Sequence, residues 1–76
     1  MKDLLTMIAQ ALVDNPDQVK VVAINGNRTS VLELRVAKED IGKIIGKQGR
    51  NAQAMRTILR GASAKEKKHV VLEIIE

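Results

Sequence analysis

Leu5, Ile8, Ala9 and Leu12 recur at i, i+3, i+4 and i+7, which predicts an amphipathic helix from Lys2 to Asp14. Asn15-Pro16-Asp17 should end it, because proline drives the residue before it out of the α region. The β-branched run Val19–Ile24 predicts a strand, although its pattern leaves open which face turns inward. Asn25-Gly26-Asn27 is turn chemistry, and beyond it Ser30–Val36 alternates cleanly with Leu32, Leu34 and Val36 on one face. These two strands are expected to form a hairpin. Glu39 and Asp40 place acids in the first turn of a short helix ending near Ile45, whose apolar side is Ile41, Ile44 and Ile45. Helical spacing returns at Ala52, Met55, Leu59 and Ala62, predicting a second helix from about Arg50 to Arg60 that stops at Gly61. Ala62–Lys68 reads as a basic loop, and His69–Ile75 alternates again with Val70, Leu72 and Ile74 on one face.

The order α-β-β-α-α-β implies an α+β fold. Two helices between the second and third strands let those strands pair in parallel through a right-handed crossover, giving a three-stranded mixed sheet with helices packed on one face. The chain of 76 residues holds one domain, residues 1–76, with one small core, so self-association is a natural expectation. Without cysteine there is no disulfide framework, thiolate nucleophile or cysteine zinc site. Asp3 and Gln10 interrupt the apolar stretch that an N-terminal signal or membrane span would require, so no membrane association and a cytoplasmic location are expected.

Charge adds a direction to this plan. Residues 1–42 hold five Lys/Arg and six Asp/Glu, whereas residues 43–68 hold eight Lys/Arg against one Glu. The excess therefore lies on and just beyond the segment Gly42-Lys-Ile-Ile-Gly-Lys-Gln-Gly-Arg50, where two isoleucines run into a Gly-x-x-Gly turn with polar middle positions and a basic exit. Gly46 and Gly49 allow the backbone positive φ and close approach to another backbone. A helix starting at or after Gly49 would turn its unpaired N–H groups and positive dipole end toward whatever the turn holds, which favours phosphate. Lys47 and Arg50 add full charges there, and Lys43 precedes them.

The stretch Ile44-Ile-Gly-Lys-Gln-Gly-Arg50 resembles the signature of the KH domain, whose GXXG loop grips the backbone of a short single strand of RNA. Length and element order are similar to the KhpA family, small bacterial single-KH RNA-binding proteins of the type II KH fold. The resemblance implies RNA contacts from Lys43, Ile45, Gly46, Lys47, Gln48, Gly49 and Arg50, with Ile45 at the groove edge. It implies homodimerisation, with Arg56, Thr57 and Ile58 meeting their symmetry mates, and pairing with a larger KH protein of the KhpB family. It also implies a role in post-transcriptional regulation as an RNA chaperone, without cofactor or metal.

Each of these features has a plainer reading. The glycines could serve only to join two helices, and Ile58 could simply widen the core stripe of its helix. A KH fold without useful RNA affinity would act as a protein-interaction adaptor, and a sequence-tolerant groove would also accept single-stranded DNA. The absence of Phe, Tyr and Trp removes an aromatic stacking platform, although aliphatic side chains can pack against bases. Gly42 and Gly46 lie too close together for a phosphate-binding P-loop, and Gln48 stands where a hydroxyl is required. Ser30 and Ser63 lack an elbow motif and no carboxylate pair sits in an apolar setting, so no enzymatic chemistry is expected. His69 reads as a solvated or RNA-adjacent side chain, while Lys65, Lys67 and Lys68 form a basic cluster, either a solvated loop or an extension of a phosphate track.

Overall fold

The computed structural model describes residues 1–64 and 67–75. Helix α1 (Lys2–Leu12) is followed by strands β1 (Lys20–Asn25) and β2 (Thr29–Arg35), helices α2 (Ile41–Ile45) and α3 (Arg50–Ser63), and strand β3 (His69–Ile75). The sheet runs β1-β2-β3, with β1 antiparallel and β3 parallel to the central β2. This is the α+β arrangement expected from the element order.

Register puts Val21, Leu34 and Ile74 in one row and Ala23, Leu32 and Leu72 in the next, on the face that the helices cover. Leu5 and Ala9 of α1, Ile44 of α2, and Met55 and Leu59 of α3 close the core over Leu32, Leu34, Val70 and Leu72. Burying each large aliphatic side chain contributes on the order of 1.5–3 kcal/mol. β1 explains its own ambiguity: it is an edge strand in which only Val21 is buried, and Val22 and Ile24 stand exposed on the outer face.

The first two strands are each displaced by one residue, and two helix ends differ from the expectation, each for a local reason. α1 ends at Leu12 rather than Asp14, because the N–H groups of Asp14 and Asn15 donate to the Asp40 carboxylate (3.2 and 3.1 Å) instead of to helix carbonyls. α3 does not stop at Gly61, which has no positive φ, but runs to Ser63. A turn closed by Lys67 N–H to the Ala64 carbonyl (3.3 Å) follows, with Lys67 at φ 56°. The buried stripe of α3 consequently finishes on Ser63 rather than the exposed Ala62. Lys65 of the basic cluster lies outside the described residues.

Candidate nucleic-acid interface

α2 has five residues, too few to be stable alone, so it must be anchored. Ile44 is fully buried, and Asp40, just before the helix, is fully buried as well. Asp40 was expected to serve as a first-turn acid of α2, yet its carboxylate accepts hydrogen bonds from Asp14 N–H, Asn15 N–H and Asn15 Nδ2, 25 or 26 positions away. Burial pushes its pKa up, but the Asn15 side chain, the Asp14 and Asn15 N–H groups and the nearby Lys43 ammonium outweigh this and hold it below the ordinary value. The start of α2 is thereby tied to the end of α1.

At the other end the chain turns sharply. Gly46 N–H donates to the Gly42 carbonyl (2.8 Å), and Gly46 adopts φ 76° with ψ 174°, a region essentially reserved for glycine. A Cβ at Gly46 would lie 2.6 Å from Asn51 Cγ and 2.9 Å from Asn51 N. Asn51 itself is pinned, its Nδ2 donating to the Lys43 carbonyl (2.9 Å). Gln48 at φ 59° and Gly49 at φ 75° continue the left-handed turn, closed by Gly49 N–H to the Gly46 carbonyl (3.1 Å). Space beside Gly49 is open. α3 then begins without a side-chain cap, so N–H groups of its first turn have no side chain to satisfy them.

The turn forms the rim of a groove of about 520 Å³ between α3 and the free edge of β3. Ile45, Gly49, Ala52 and Arg56 line the helix side, and Leu72–Ile75 line the strand side. Ile45 is 39% exposed, free of the core that claims Ile44 and partly claims Ile41. Lys47, Gln48 and Arg50, which flank the groove-lining Gly49 in the chain, are exposed, and Arg50 Nη2 donates to Gln48 Oε1 at 3.4 Å. Apolar walls with cations and uncapped amides at the mouth match a ligand whose flat apolar groups enter the groove while its anionic backbone stays at the rim.

Lys43, one turn back on α2, pairs instead with the Asp14 carboxylate. That hydrogen bond and charge outweigh partial burial and raise its pKa above the ordinary lysine value. Arg56, Thr57 and Ile58 do not share one face, since successive residues on a helix turn through about 100°. Arg56 faces the groove, Thr57 Oγ1 donates to the Gln53 carbonyl (3.0 Å), and Ile58 is 45% exposed elsewhere on the helix. Ala52, Leu72 and Ile74, expected only on the apolar faces of their helix and strand, also line the groove, as parallel pairing of β3 with β2, which runs β3 beside α3, already implied.

The model of the family described as "KhpA/KhpB, KH domain" matches residues 2–74. The chain is 57% identical to the RNA-binding protein KhpA of Caldanaerobacter subterraneus subsp. tengcongensis over 99% of its own length and 100% of that protein's. It is 56% identical to the KhpA of Clostridium acetobutylicum with the same coverage, and 53% identical to that of Aquifex aeolicus over 100% of this chain and 96% of the relative. No solved structure matches the chain. With a left-handed GXXG turn at its groove and full-length relatives of this kind, the chain belongs to the KhpA/KhpB family of KH domains.

Proposed function

We propose that the chain is a single-stranded RNA-binding module of bacterial post-transcriptional regulation, an RNA chaperone of the cytoplasm rather than an enzyme. The observation that carries this is the left-handed turn Gly46–Gly49, with Lys47, Gln48 and Arg50 exposed at the mouth of the aliphatic groove. The relatives are named RNA-binding proteins, which supports the same reading. Phosphates lie along Lys47, Gln48, Gly49, Arg50 and the first amides of α3, while bases pack on Ile45, Ala52, Leu72 and Ile74. Gly46 shapes the turn from beneath, and Lys43 joins the contact when a phosphate displaces Asp14 from its ammonium.

Replacing Lys47 and Gln48 with Asp places negative charge where phosphate lies. Asp tolerates the left-handed φ of Gln48, so the fold should persist. A mobility-shift assay with single-stranded RNA should show affinity falling by more than about tenfold, while the melting temperature moves by no more than about 4 °C. A folded variant that binds like the parent places the site elsewhere. Matched RNA and DNA strands separate the RNA reading from a single-stranded DNA binder, and parent protein that binds neither leaves the adaptor reading.

One KH domain grips about four nucleotides, so useful affinity calls for avidity. A homodimer through the outer side of α3 around Thr57 and Ile58 supplies it, as does a heterodimer with a KhpB-family protein over the same surface; exposure of Ile58 supports this. Arg56 contributes at most from the groove side. Ile58→Asp should sediment as a folded monomer where the parent is a dimer. A parent already monomeric at tens of micromolar contradicts the pairing.

A further inference from the structure

A second cleft, of about 380 Å³, opens at the far end of β3 from the glycine turn. Met1 and the exposed Ala23 line it above the buried Leu32 and Val70, on the core-side face of the sheet near the start of α1. Lys2 and Lys68 stand at its sides. Asn25 and Ser30 lie at its polar edge, with Ser30 Oγ donating to Asn25 Oδ1 at 2.9 Å. Arg28 is drawn to the same pole, since its carbonyl accepts the His69 N–H (2.8 Å), and Lys67 is exposed next to Lys68. Lys2 and Lys68, from segments far apart in sequence, thus flank one cleft, with Arg28 and Lys67 nearby in the chain. Among the described residues none of these cations is ion-paired, and Asp3 is the acid adjacent to Lys2.

The two cavities follow one another along one strand. Leu72 lines the groove and Val70 the second cleft, two residues apart on the same face and so about 7 Å along β3. Both pair apolar walls with basic rims. We infer that the second cleft holds the continuation of the RNA strand, one base resting against Met1 and Ala23 and a neighbouring phosphate lying between Lys2 and Lys68. This rests on the reading that the groove binds RNA. It extends the footprint of one domain beyond the four or so nucleotides a KH groove takes.

Two homopolymeric RNA strands test it, one of about five nucleotides that fills the groove alone and one of about twelve that can reach both cavities. Lys2→Gln with Lys68→Gln should leave binding of the short strand within about twofold and weaken the long strand by about fivefold or more, its log–log salt slope becoming shallower by roughly 1.4 for two lost contacts. Lys20→Gln with Lys38→Gln removes the same charge from exposed positions elsewhere and should leave both strands nearly unchanged. Equal losses from the two double variants, or a Lys2/Lys68 variant that loses the short strand as much as the long one, would overturn the second site. So would a folded Lys2/Lys68 variant that binds the long strand like the parent. A parent that binds neither strand removes the groove reading itself, and this inference with it.

Discussion

The two ends of α2 treat polar groups in opposite ways. Ahead of the helix, the Asp40 carboxylate is fully buried and takes three donors from Asp14 and Asn15. Behind it, the side chains of Lys47, Gln48 and Arg50 reach into solvent, with a single 3.4 Å bond between two of them. A buried carboxylate is tolerated only when its oxygens are satisfied, so the first end is structural. Exposed cations beside a strained backbone contribute little to folding and remain available to a ligand. A five-residue helix can present a fixed turn because its other end is tied down, so the stability of the fold that carries Gly46–Gly49 depends on a carboxylate remote from the turn.

The largest effect should come from forcing a side chain into the turn. Gly46→Ala sets a Cβ against Asn51, at 2.6–2.9 Å, in a conformation that L residues avoid. RNA affinity should fall by more than about thirtyfold and the melting temperature by roughly 10 °C or more. Gly49→Ala meets open space and pays only for its left-handed φ, about 1–2 kcal/mol. Its losses should be clearly smaller by both measurements, and equal losses would show that the turn does not divide as described.

Asp40→Asn sharpens the other half of the comparison. The amide keeps the shape but offers one acceptor oxygen in place of two and turns an NH2 toward an N–H donor, so the melting temperature should drop by roughly 5–10 °C while RNA affinity well below the transition changes by no more than about threefold.

The smallest effect is in acid. Because the folded pKa of Asp40 lies below the unfolded value of 3.8, its ionised form stabilises the fold above about pH 4, and that contribution is lost as pH falls through the folded value. Melting curves between about pH 2 and 5 should show a shallower acid limb for Asp40→Asn than for the parent. Identical limbs would mean that other carboxylates carry the acid sensitivity.

Much of this arrangement was legible from periodicity. β3 spans the predicted His69–Ile75, and β2 is displaced by one residue, because alternation on a sheet with one buried face marks both register and extent. The turn was legible because glycine pairs with flanking cations have few other uses. Asp40 was not, since nothing local distinguishes a helix-start acid from one whose partners lie 25 positions upstream. Asn51 carries no periodic signal either, and its role depends on the backbone path of Gly46. Gly61 misled because glycine ends a helix only where it takes positive φ, and here it does not.

The central claim is that one strand of RNA lies against the turn and between α3 and β3. Backbone amide shifts of the labelled protein, followed while a single-stranded RNA of about five nucleotides is added, test it most directly. The account predicts the largest changes at Gly46–Ala52 and Leu72–Ile75, with small ones at Val13–Asn15, where α1 meets Asp40. Changes centred on the outer sheet face, at Val22, Ile24 and Val31, with the turn unmoved would contradict it.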